Sequence, residues 1–125
     1  MSAPRTVVSE ITAELLLEVF DLPVSFHRCL IPITGGVTAA LMLSQAISTT
    51  QTLEPAVGGW FARSQEEWSE ETGLSRWEQE TARRALRNAG FLEERRVGMP
   101  AKLWFRVRPE AIWDALQTHA APVGR

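Results

Sequence analysis

The chain has 125 residues and a mass of 14.0 kDa, a length that suits one domain. Hydrophobic residues make up 45%, charged residues 22%, and there are 8 Gly and 7 Pro; this excludes collagen-like and low-complexity chains. Thirteen Lys/Arg against fifteen Asp/Glu leave −2, so the whole-chain basic footprint of a nucleic-acid binder is absent. The single cysteine, Cys29, excludes an intrachain disulfide and a thiolate-built zinc site, and fits a reducing cytoplasm.

The total conceals a polarity. Residues 1–80 hold four basic and eleven acidic side chains, a balance of −7. Residues 81–125 hold nine basic and four acidic, a balance of +5. Such asymmetry points either to a polyanion partner or to two halves that neutralise each other in one fold. No basic-then-apolar leader is visible, because Glu10, Glu14 and Glu18 interrupt the first apolar run. No stretch reaches the roughly 18 apolar residues of a membrane span. A cytoplasmic protein without a membrane partner is expected.

Residues 7–20 predict an amphipathic helix, with Val8, Ile11, Leu15 and Val19 recurring at three- and four-residue steps. That stripe either docks on its own domain or pairs two copies of the chain. Pro23 ends the element. Residues 24–31, VSFHRCLI, predict a short strand closed by Pro32. Thr34 is the expected N-cap of an apolar central helix over about 35–49. Residues 49–59 read as a loop.

Ser64 with Glu67, and Ser75 with Glu78, form two capping boxes on either side of Gly73. They predict a short helix carrying Trp68, a glycine turn and a second helix over about 76–89 that stops at Gly90. The period then switches to two. Residues 91–97 and 102–108 predict strands joined by Gly98-Met99-Pro100-Ala101. Leu103, Phe105 and Val107 form a core face; Lys102, Trp104, Arg106 and Arg108 form a basic one. Pro109 opens a last helix over about 109–119 with Ile112, Trp113, Leu116 and His119. Residues 120–125 are expected to be a disordered tail.

A helix–turn–helix followed by a hairpin is the winged-helix order, in which the second helix enters a DNA major groove and the wing touches the flanking backbone. The run from about residue 23 to 107 resembles the winged helix–turn–helix domains of phage- and plasmid-type replication-initiation and mobile-element proteins. VSFHR, ITGGVTAALMLSQ, GWFARSQEEWSEETGLSRWEQETARRALRNAGFLEE and GMPAKLWFRV carry the resemblance. It implies an α+β, mainly helical fold and DNA binding. The expected organisation is a helix at 1–22, the winged helix–turn–helix at 23–108, a helix at 109–119 and the tail.

The expected DNA-binding set follows from the helix wheel. Ser75 caps the second helix. Arg76, Glu80, Arg83 and Arg87 fall at i, i+4, i+7 and i+11, and Arg84 lies beside them. Arg matches guanine and Gln79 matches adenine through planar forks, and Glu80 can accept from cytosine. Glu80 can equally pair with an arginine, and Gln79 can face the next helix. Trp77 is expected in helix packing. Arg95, Arg96, Lys102 and Arg106 of the wing would neutralise phosphates. Trp104 either stacks on the nucleic acid or covers the hairpin. The cluster Glu66, Glu67, Glu70 and Glu71 must face away from a duplex or contact another protein.

No enzymatic constellation emerges. His27 and His119 belong to no metal-ligand spacing, and Gly35-Gly36 lacks the Lys of a phosphate loop. Cys29 reads as a buried structural thiol. Neither metal nor cofactor is expected. Two functions stay open: a duplex-DNA-binding protein in replication initiation or transcriptional regulation, or a protein-interaction and oligomerisation module without DNA binding.

Overall fold

A computed structural model describes residues 10–120. Among these residues six α-helices and a three-stranded antiparallel sheet make an α+β, mainly helical domain, an architecture compatible with a winged helix. The helices are α1 (Ala13–Val19), α2 (Leu30–Thr34), α3 (Val37–Thr50), α4 (Gln65–Thr72), α5 (Arg76–Ala89) and α6 (Pro109–Ala120). The strands are β1 (Trp60–Ala62), β2 (Leu92–Val97) and β3 (Lys102–Val107), in the order β1-β3-β2.

The helix–turn–helix and the hairpin form where the caps and the period predict them. Each capping box closes in both directions. Glu67 and Glu78 donate backbone N–H groups to the Ser64 and Ser75 hydroxyls, and their carboxylates accept the serines' own N–H groups. Gly73 takes φ 77° between the helices, a conformation that costs a residue with a Cβ.

Three elements differ from expectation. Residues 24–31 form no strand: Phe26 is half-buried, a turn follows, and Leu30–Thr34 is helical. Pro32 is tolerated there because the first turn of a helix leaves its N–H groups unpaired anyway. Thr34 is therefore not an N-cap. It ends α2, and its hydroxyl donates back to the Leu30 carbonyl at 2.7 Å. Gly36 caps α3 without a side chain. Cys29 is exposed, not buried. The third difference is β1, at residues where the sequence predicts no element, between the loop expected at 49–59 and α4. Phe61 pairs with Phe105 and sits in the core, so three residues suffice to add a strand.

Alanines let the central helix sit close to its neighbours. Ala39, Ala40, Ala46 of α3 and Ala82 of α5 are buried with Met42, Leu43 and Leu86. The inner sheet face closes this core with Phe61, Leu92, Phe105 and Val107, and α6 adds Ile112. Trp68 is 1% exposed and packs edge-on against Phe61 and Phe105, with ring centroids 6.2 and 5.3 Å away.

The N-terminal helix starts later than expected. Thr12 caps it by accepting the Leu15 N–H. Ile11 precedes it and Val8 lies outside the described residues, as does the expected tail from 121 onward. Among the described residues no helix is long and apolar enough to cross a membrane.

Candidate nucleic-acid interface

The start of α5 is pinned to α4 from inside. Gln79 is 2% exposed, and its amide donates to the carbonyls of Gln65 at 3.2 Å and Leu74 at 3.0 Å. It therefore locks the turn of the helix pair, and no adenine edge can reach it. Trp77 does the reverse: expected in packing, it is 76% exposed.

The wing is tied to α5 by one carboxylate. In the β2–β3 register Glu94 stands opposite Phe105, so its side chain is on the inner face. Arg83 donates to it through two nitrogens, each at 2.8 Å, and Arg87 donates at 3.0 Å. Glu94 is 9% exposed and the Arg83 side chain 15%. Burial pushes the Glu94 carboxyl up, but the hydrogen bonds and charges of Arg83 and Arg87 outweigh it and hold the group below the usual carboxylate range. The same hydrogen bond raises Arg83. The bidentate geometry gives the contact direction as well as strength.

This clasp redistributes the predicted arginine stripe. Arg83 and Arg87 are paired with Glu94, and Arg76 lies 3.7 Å from Glu80 in an exposed pair of little strength. The line of α5 opposite buried Gln79, Ala82 and Leu86 is instead Trp77, Thr81, Arg84 and Asn88, all exposed and at i, i+4, i+7 and i+11. Arg84 has no ion pair among the described residues. Centring the helical wheel on Ala82 and Leu86, rather than on the arginines, finds this line from sequence.

The four wing cations divide between the two faces of the sheet. Arg96 lies on the α5 side, where a notch of about 220 Å³ is lined by Glu80, Arg83, Arg84, Arg87 and Arg96. Lys102 joins Arg63, Arg83 and Arg96 around a wider cleft at the start of α4, opposed by Glu67. The Ser64 N–H and hydroxyl hold the Glu67 carboxyl below its ordinary value. Arg95 and Arg106 lie on the outer face, with guanidinium carbons 4.4 and 4.8 Å from the Trp60 ring centroid. Arg106 and Arg108 also donate to Glu93 at 2.7 and 2.8 Å. Arg106 above all, with Arg108, keeps the Glu93 carboxyl low. One carboxylate, Glu93, thus offsets only part of the charge of Arg95, Arg106 and Arg108, and Trp104 is half-buried on the outer face, opposite Ala62 and Arg95.

Ser75 remains at the entrance of α5 as its cap. Glu71 faces inward to Arg63, 3.2 Å away, while Glu66 and Glu70 face solvent. The described members of the expected pairing stripe are mostly open: Ile11 is 68% and Val19 70% exposed, and Leu15 is half-buried. Among the described residues no group of three or more His, Cys, Asp or Glu can hold a metal ion.

No protein-family model matches the chain, and no curated protein matches it. Among solved structures, the chain is similar to one described as the N-terminal domain of DNA binding protein, at 12% identity over 89% of this chain and 95% of that one, with a TM-score of 0.47. At that TM-score the likeness carries no argument about function.

Proposed function

We propose that this chain binds duplex DNA, with α5 in the major groove and the wing from β2 to β3 along the backbone, in replication initiation or transcriptional regulation. The observation that carries the reading is the outward line of α5 beside a notch whose Arg84 and Arg96 have no ion pair among the described residues. A notch of about 220 Å³ rimmed by four guanidinium groups against one carboxylate, Glu80, has the charge excess that suits a phosphate flanking the groove. The resemblance of the helix–turn–helix and hairpin stretches to initiator and mobile-element domains supports the same reading and its two roles.

The test is fluorescence anisotropy on random-sequence duplex across a salt series. Binding is expected to weaken with a log–log slope of about −0.9 per phosphate neutralised. In the double variant Arg84→Glu/Arg96→Glu, affinity near 0.1 M salt drops at least about tenfold, and the slope shallows by about 1.8, two contacts' worth. Both side chains are exposed and unpaired, so the melting temperature stays put. Unchanged affinity and slope would remove α5 and the wing from the interface.

A second reading rests on α1. Leu16, Leu17, Val19 and Phe20 are all exposed on one short segment, more apolar surface than a lone seven-residue helix retains without a partner. We infer that this segment pairs two copies of the chain, which would set two α5 helices on paired half-sites. In light scattering, Leu17→Glu/Val19→Glu is expected to halve the mass. A wild type that is already monomeric at 100 μM, on the order of the weakest useful self-association, would end this reading.

A further inference from the structure

The Trp77 side chain stands clear of the core. It is the most exposed aromatic among the described residues at 76%, ahead of Trp113 at 63%. It makes none of the aromatic, cation–π or ion contacts that occupy Trp60 and Trp68. It stands in the first turn of α5, the part of a groove helix that reaches base edges. Its companions on the outward line are Thr81, Arg84 and Asn88, each with a polar group that can meet a base or a phosphate. An indole is the exception on that line and calls for an apolar partner.

The major groove offers one such partner. Guanine, cytosine and adenine present hydrogen-bonding nitrogen and oxygen groups beside bare C–H edges there, and thymine alone adds a methyl group, at C5. Resting on the duplex reading above, we propose that Trp77 packs against the C5-methyl of a thymine, so that the chain selects duplex sites carrying thymine at the position facing the first turn of α5. The surrounding charge agrees with this occupant: Arg84 and Arg96 are unpaired on the same side. A protein surface with an apolar pocket is the competing occupant.

The test uses the full chain. Bound duplexes are selected from a random pool, and each thymine of the selected site is then replaced by deoxyuridine, which deletes only the C5-methyl. One position is expected to lose about fourfold in affinity, the value of one buried methyl group. Trp77→Ala is expected to lose at least the same factor on the thymine duplex and to become indifferent to the uridine. Trp77→Phe retains part of the discrimination. The salt slope is unchanged in both variants, because Trp77 contacts no phosphate. Three outcomes overturn the proposal: no position senses the methyl, Trp77→Ala still senses it, or Trp77→Ala changes the mass of the protein instead. If the wild type binds no duplex at all, the duplex reading falls as well, and that failure is visible before any thymine is altered.

Discussion

Trp68→Ala is expected to lower the unfolding free energy by about 3–5 kcal/mol. The indole is 1% exposed, and its edge contacts to Phe61 and Phe105 join α4 to both β1 and β3. Deleting it removes the transfer free energy of the largest core side chain. It also leaves a cavity that Phe61 and Phe105, held by strand pairing, can fill only in part. Edge-to-face contacts of this kind add to the burial itself. A domain of this size has about 5–15 kcal/mol in total, so the variant approaches the unfolding threshold at 37 °C. Urea unfolding of the two proteins measures it, with Trp113→Ala, 63% exposed, as a control that stays within about 0.5 kcal/mol. A loss below 1 kcal/mol, on the scale of a surface change, would contradict the core placement of Trp68.

Glu94→Ala is expected to act in two opposed directions. It leaves Arg83, 15% exposed, as a largely buried cation without its partner. Removing one member of a fully buried pair costs about 3–5 kcal/mol. Arg87 is 42% exposed and regains water, so about 2–3 kcal/mol is expected here. Meanwhile two guanidinium groups become free beside the notch. Affinity for random duplex therefore rises, and the salt slope steepens by up to about 1.8. A less stable protein that binds DNA more tightly is not expected of a merely misfolded variant. Weaker binding with lower stability would argue that the clasp positions the groove helix and does not restrain its charge.

The same carboxylate gives stability a pH dependence of known sign. Its folded value lies below its ordinary one, so the stabilisation is present above the unfolded carboxyl's value of about 4.3 and is lost as pH falls through the folded value. Melting temperature should drop on acidification below about pH 4. In Glu94→Gln the acid limb becomes shallower but persists, because Glu67 and Glu93 are shifted the same way.

Local signals were legible where a few neighbouring residues decide the outcome. The two capping boxes, the glycine stops and the change of period after Gly90 place α4, α5, β2 and β3 to within a residue. The short strand expected at 24–31 failed because Pro32 can begin a helix as well as end a strand, and the choice was made by burial of Leu30 and Thr34. β1 escaped because three residues carry almost no periodicity; its signal was the Trp60-Phe61 pair, which only the sheet explains. Of the candidate interface, the sequence made the elements legible but not the pairing of their side chains. Arginines look outward in a sequence, and whether Arg83 is free depends on Glu94, eleven residues away on a strand of known face. Reversing the charge of Arg83 and Arg87 would place two new carboxylates beside Glu94 and report on folding, which is why Arg84 and Arg96 carry the test of binding.

The Arg83–Glu94–Arg87 clasp also bears on the kinetics of encounter. A hairpin joined to a helix only at its base would fluctuate, and a partner would have to catch two moving parts in the right relation. Here a bidentate contact near the middle of β2 makes hairpin and helix a single stiff body. Association then involves little loss of conformational entropy, an advantage that Glu94→Ala gives up and that the two freed guanidinium charges must outweigh for affinity to rise; with the clasp in place the rate should approach that of rigid docking, about 10⁵–10⁷ M⁻¹s⁻¹ before charge steering.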